Sequence, residues 1–301
     1  MTDRPQAPFG SVLTAIVTPF TDEGSVDYSA FWKLIRHLGK NGSDGVVVAG
    51  TTGESPTLSK AEKLALFKAA VDAAGDSMTV VAGVGTYDTK ESIALAEAAA
   101  KAEVTGIMAV TPYYSKPPQR GIVEHMTAIA DATDLPMMLY NIPGRTASRI
   151  EVDTMVELAG HARIVCVKDA VDDLSWSVEQ LDALPADFAV YSGSDAFTRR
   201  LVKAGAVGVV SVASHLVGRE IAEMVQAVIK DDGDRAVELD GLILPVAEAL
   251  FSEPNPMPLK AALNEHWGPV GQPRLPLVPA SDEALERVTA GLDAIAEFRS
   301  Q

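Results

Sequence analysis

The sequence predicts a closed (β/α)8 barrel, the TIM-barrel fold, carrying a helical extension at its C-terminal end. Short apolar runs bounded by turn residues recur eight times before about residue 231. Stretches rich in Ala, Leu, Glu and Lys lie between them, and alternation of this kind implies a parallel sheet. Past that point helical patterns follow one another with no strand between. Eight strand–helix units over this length suit a closed barrel better than an open doubly wound sheet.

The expected strands are 14–18, 45–49, 79–82, 106–110, 136–140, 164–168, 188–191 and 208–212. Each is nearly continuous in apolar character, as expected of strands buried on both faces. Helical patterns at 59–74, 89–102 and 194–204 illustrate the connecting layer. In the extension the expected helices are 234–251, 257–265 and 281–298, with the Pro-rich segment 269–279 separating the last two. Residues 1–231 are thus expected to form a catalytic barrel and 232–301 a C-terminal helical domain.

The 301 residues are 47% hydrophobic and 22% charged, an ordinary globular composition. A net charge of −16 repels phosphate backbones, so no nucleic-acid partner is expected. No segment reaches the roughly 18 apolar residues of a membrane span. The opening residues 1–8 lack the basic and apolar regions of a signal peptide, so a cytoplasmic location without membrane contact is expected. A single cysteine, Cys166, fits a reducing compartment. The five histidines are scattered and form no ligand pair, so no metal is expected.

In a barrel, chemistry gathers where the strands end. Lys168 closes the apolar run Ile164-Val165-Cys166-Val167. A lysine held against a dry surround loses part of its charge preference, and a neutral amine attacks a ketone to form a Schiff base. The alternative is a lysine that reaches to water or pairs with Asp169. The second strand runs into Gly50-Thr51-Thr52-Gly53-Glu54-Ser55, whose amides and hydroxyls suit a carboxylate, or else form a plain turn and helix cap. Tyr140 ends the fifth strand, where its hydroxyl serves as a proton relay or packs in the core. Beyond Pro143-Gly144, Arg145 lies on a loop over the mouth, its fork suited to a carboxylate unless it is only a surface residue. Tyr113-Tyr114 follow the fourth strand and read as interface residues. Gly193, after the seventh, leaves room for a ligand near the backbone. Gly83-Val84-Gly85 is no dinucleotide fingerprint, because Asp88 stands where its third glycine belongs.

Together Thr18-Pro19-Phe20, Gly50-Thr51-Thr52-Gly53-Glu54, Tyr140-Asn141-Ile142-Pro143 and Lys168-Asp169 resemble the pyruvate-dependent class I aldolase family of dihydrodipicolinate synthase and N-acetylneuraminate lyase. The resemblance spans nearly the whole chain, including Asn255-Pro256-Met257-Pro258-Leu259-Lys260 and Arg274-Leu275-Pro276-Leu277. Tyr114 and Gly144-Arg145-Thr146 look like the synthase branch. It implies condensation of pyruvate with L-aspartate-4-semialdehyde to 4-hydroxy-tetrahydrodipicolinate, on the route to diaminopimelate and lysine, without cofactor. By the same resemblance Lys168 forms the imine, and Tyr140, Thr51 and Tyr114 relay protons, Tyr114 from a neighbouring subunit. Thr51 and Thr52 hold the pyruvate carboxylate, Gly193 and Val210 flank pyruvate through their backbone, and Arg145 meets the semialdehyde. A homotetramer built as a dimer of dimers is implied too.

Two rivals stand beside this reading. One is an aldolase or dehydratase of another 2-oxo acid, and the other a catalytically silent barrel that binds a small acid. Some synthases of the family are inhibited by lysine at a cleft whose matching positions here are Ser55, Pro56, Lys60, Lys63, Tyr87, Glu91 and Tyr113. Lys60 and Lys63 replace the histidines of sensitive members and Tyr87 an asparagine. Fixed cations beside a cationic ligand repel it, so weak or absent inhibition is expected.

Overall fold

In the computed structural model, which describes residues 5–300, eight parallel strands close into one barrel in sequence order. Residues 1–4, part of the stretch that argued against a leader, lie outside the described residues, as does residue 301. The strands are β1 (Val12–Ala15), β2 (Gly45–Val48), β3 (Thr79–Gly83), β4 (Gly106–Val110), β5 (Met137–Asn141), β6 (Ile164–Asp169), β7 (Ala189–Ser192) and β8 (Gly208–Ser211). β8 pairs back onto β1 through Val210 and Leu13, which leaves no free edge.

The outer layer contains α1 (Tyr28–Lys40), α2 (Lys60–Ala74), α3 (Thr89–Lys101), α4 (Gln119–Asp131), the single turn α5 (Pro143–Thr146), α6 (Val152–Ala159), α7 (Leu174–Ala183), α8 (Thr198–Ala204) and α9 (Ser214–Ile229). Their starts follow local chemistry. Ser59 caps α2 in a capping box with Glu62, and Asp27, Asp88 and Asp173 cap α1, α3 and α7 through side-chain oxygens. Three further helices, α10 (Gly233–Leu250), α11 (Met257–His266) and α12 (Asp282–Arg299), pack beyond α9.

Two apolar cores result. One lies between strands and helices and includes Ile16, Val46, Leu66, Leu139 and Val167. The other fills the barrel with Leu13, Val47, Val81, Met108, Met138, Cys166, Tyr191 and Val210. Phe9 belongs to this inner core, and a Cβ on Gly106 would come within 2.5 Å of its ring. The absent side chain at Gly106 therefore makes room for the plug.

Three expectations need correction. The first strand ends at Ala15 rather than 18: the Ile16 amide still bonds to Val47, but the Thr18 hydroxyl already donates to Gly53 O in the loop layer. The apolar residues 16 and 17 mark loop packing, which hydrophobicity alone cannot distinguish from strand. Between β7 and α8 the chain makes a 3-10 turn at Asp195–Phe197, because the Asp195 side chain is engaged elsewhere. Arg145 sits within the helical turn α5, started by Pro143, and not in irregular loop.

Candidate active site

β5 and β6 place the two central groups side by side, for Tyr140 is directly across from Lys168 in the strand register. How β6 aims its lysine depends on one extra residue. Met137 pairs with Ile164 but Met138 pairs with Cys166, which leaves Val165 as a bulge. Ile164 and Val167 face the outer core, while Cys166 belongs to the inner one. Strict alternation from Ile164 would send Lys168 outward to the helices; the bulge reverses the phase and turns it inward.

Lys168 is buried at 5% exposure, its Nζ 4.1 Å from the centroid of the Tyr140 ring. Burial lowers its pKa to about 8; Arg145 pulls the same way and Asp195 opposes them. Tyr140 is pushed up to about 12, mainly by burial, with Arg145 and a hydrogen bond to Thr51 acting to lower it. The tyrosine hydroxyl is therefore a protonated donor at neutral pH, within hydrogen-bond reach of Thr51.

The turn after β2 forms the wall opposite. Among the described residues, no acceptor takes the amide hydrogens of Thr51, Thr52 or Gly53. Thr52 and Gly53 are buried, and buried backbone donors are nearly always paired. Three adjacent donors left open make a receptor for an anion such as a carboxylate. The Thr52 hydroxyl instead accepts from Asn255 Nδ2 at 2.9 Å.

A cavity of about 220 Å³ opens beside these groups, lined in part by Thr51, Tyr140, Ile142, Arg145 and Tyr113. A second, of about 440 Å³, shares Ile142 and Arg145 and continues past Gly193, Asp195 and Phe251. Arg145 thus stands between both, exposed and without a carboxylate partner among the described residues. Gly193 borders the second space, but a Cβ there would also lie 2.8 Å from that of Ala170, so packing alone requires glycine. Val210 is buried in the inner core. Tyr114 is not brought to either cavity: it is 94% exposed, with φ of 69°.

Asp195 and Asn255 were not among the sequence-derived site residues. The Asp195 carboxylate accepts from Ser211 Oγ and from the amides of Val212 and Ala213 at 2.8 and 2.9 Å, tying the ends of β7 and β8 together. Its place after strand seven, in a serine–glycine run, was the available signal. Asn255 gave none, because its partner is 203 residues away. Among the described residues no group of His, Cys, Asp and Glu is placed to hold a metal ion.

An anion-receiving turn, a protonated tyrosine and a desolvated lysine inside a parallel barrel define a class, the aldolase-type enzymes that work through a lysine imine. Comparison with known proteins narrows it. The dihydrodipicolinate synthetase family model matches residues 8–295, and the chain belongs to that family. It is 45% identical to a 4-hydroxy-tetrahydrodipicolinate synthase of Thermosynechococcus vestitus over 97% of this chain and 99% of that one. Among solved structures it is similar to DHDPS from Cyanidioschyzon merolae with lysine bound, at TM-score 0.94 and 43% identity, covering 97% of this chain and 99% of that one. It is also similar to a chloride-inhibited dihydrodipicolinate synthase from Acinetobacter baumannii complexed with pyruvate, at TM-score 0.93 and 36% identity, covering 96% and 99%.

Proposed function

We infer that this chain is a 4-hydroxy-tetrahydrodipicolinate synthase, a lyase that condenses pyruvate with L-aspartate-4-semialdehyde. The observation that carries the reading is the in-register pair of Tyr140 and a Lys168 whose pKa falls to about 8. The family membership and the named relatives agree with it.

The residue roles belong to the same proposal, supported by the open amides of the β2 turn and the Tyr140–Lys168 pair. Pyruvate places its carboxylate on the amides of the Thr51–Thr52 turn, which presents its carbonyl to Lys168. The neutral amine adds to C2, and loss of water gives the imine. The imine draws electrons from the methyl group, so a proton leaves and an enamine forms. The enamine carbon attacks the aldehyde carbon of the semialdehyde, and the new alkoxide takes a proton. The substrate's own amine then attacks C2 and displaces Lys168, closing the ring and regenerating the free amine. One water is released overall. Tyr140, hydrogen-bonded to Thr51, passes the protons. With its pKa at about 12 the tyrosine is a poor base alone, so a chain of hydroxyls completed by Tyr114 of a neighbouring subunit suits the task. Arg145 receives the semialdehyde carboxylate, and Gly193 and Val210 flank pyruvate.

A homotetramer arranged as a dimer of dimers, a cytoplasmic location and a division into barrel and helical domain near residue 231 belong to the same proposal. That no helix among the described residues is long and apolar enough to cross a membrane agrees with it. The test is turnover of the purified protein with pyruvate and either the semialdehyde or sugar-derived aldehydes. Product is expected with the semialdehyde. Preferential turnover with a sugar-derived aldehyde, or of another 2-oxo acid offered in place of pyruvate, would overturn the reading.

A further inference from the structure

We propose that the buried ion pair Glu54–Lys260 positions the turn that receives the keto-acid carboxylate, so that the C-terminal helical extension sets the affinity of the barrel for its first substrate. This rests on the reading of the Thr51–Thr52 turn as the carboxylate receptor.

Glu54 directly follows that turn. Its backbone is left-handed, with φ of 56°, a conformation that costs a residue other than glycine and persists only where the surroundings impose it. The turn is tight: Glu54 N donates to Thr51 O at 3.0 Å and Ser55 N to Gly50 O at 3.2 Å. Neither bond fixes how the open amides point relative to Lys168. Contacts from outside the barrel bear on that orientation. The Glu54 carboxylate meets Lys260 Nζ of α11 at 2.6 Å and accepts from the Arg274 amide at 2.8 Å. The side chains of Glu54 and Lys260 are 1% and 0% exposed.

Further bonds from the same extension surround the pair. Lys260 Nζ lies 4.0 Å from the centroid of the Phe20 ring and donates to Gln272 O at 3.3 Å. The Arg274 guanidinium lies 4.2 Å from the same ring and binds Glu62 of α2 at 2.5 Å, the Gly24 carbonyl at 2.7 Å and the Thr57 carbonyl at 2.9 Å. Asn255 Nδ2, just before α11, donates to the hydroxyl of Thr52 itself. Residues before and after α11 thus grip both ends of the turn. From the barrel side Thr18 holds it, its hydroxyl donating to Gly53 O at 2.7 Å, and Tyr140 bonds to Thr51.

Stability alone explains this arrangement poorly. Taking two charges out of water is costly, and apolar replacements of buried pairs are often neutral or stabilising. What such a pair supplies is a defined geometry, since a carboxylate held from two directions fixes the backbone that carries it.

The test compares the wild type with the double variant Glu54→Gln, Lys260→Met, which removes both charges and leaves neither buried alone. The expected result is a pyruvate KM raised about tenfold, with the semialdehyde KM and kcat within about threefold, the signature of lost binding of one substrate. A purely structural pair would lower the melting temperature or the active fraction and leave the pyruvate KM unchanged. Asn255→Ala serves as the second variant should the double variant fail to fold; it loosens Thr52 without burying a charge, and its pyruvate KM should also rise. Pyruvate KM values within twofold of wild type overturn the positioning role. A wild type that forms no borohydride-trapped adduct with pyruvate removes the receptor reading and this proposal with it.

Discussion

At Lys168, burial substitutes for a neighbouring base. A lysine at its ordinary pKa of 10.5 would be almost wholly protonated at neutral pH. Lowering that value to about 8 raises the neutral fraction by roughly 300-fold near pH 7. The neutral amine is the reactive form, so kcat/KM for pyruvate should rise with pH and level off above about 8. A rise continuing toward 10.5, measured in pH–rate profiles, would contradict the lowered value. The cleft that matches the lysine site of sensitive synthases is also decided by single residues. Lys63 is buried rather than on the solvated face of α2, unlike exposed Lys60. Burial lowers its pKa while Glu91 opposes that, so the Glu91 carboxylate already faces a cation. Tyr87 meets Tyr113 edge-to-face at 5.2 Å and occupies space there. Inhibition by L-lysine should therefore be weak, and half-inhibition below about 1 mM in initial rates would contradict this. The sequence exposed Lys168, Tyr140 and the threonine turn because each ends an apolar run. It hid Asn255 and the Lys260–Glu54 pairing, since distance along the chain says nothing of contact.

Among the elements, β6 carries the most consequence. Its bulge at Val165 sets the phase in which Lys168 faces the barrel interior rather than the helices. Deleting Val165 removes the extra residue and leaves Ile164, Cys166, Val167 and Lys168 in strict alternation, with the lysine still turned inward. In the deletion variant the pyruvate adduct should therefore still map to Lys168; a variant that keeps its far-ultraviolet circular dichroism yet forms no adduct would contradict this assignment of the bulge. No reading of the sequence reveals this feature, because a continuously apolar strand has no alternation from which a phase could be taken. Strand existence was legible for all eight, since each is apolar and bounded by turn residues. Boundaries were less so: residues 16 and 17 belong to loop packing, and α5 is too short to show a helical period.

For the whole molecule, closure of the barrel brings the turn after β2 to the Tyr140–Lys168 pair, although those residues are about 90 or more positions apart in the chain. The fold class was readable at this scale because eight parallel units leave few alternatives. The attachment of the extension to the β2 turn was not, because it runs through polar contacts that leave no periodic pattern. Tyr114, exposed and lining neither cavity in a single chain, has a purpose in the proposed assembly only if a second subunit receives it. Tyr114→Phe should lower the rate without changing the assembly state, and dilution to monomer should abolish activity; a fully active monomer in analytical centrifugation would refute the shared site. The central claim is that one lysine, made reactive by burial, carries the chemistry. Borohydride reduction in the presence of pyruvate, followed by peptide mass mapping, tests it most directly. The expected result is one reduced adduct per chain, on Lys168, and none in Lys168→Ala; an adduct on another lysine with Lys168 unmodified would contradict the account.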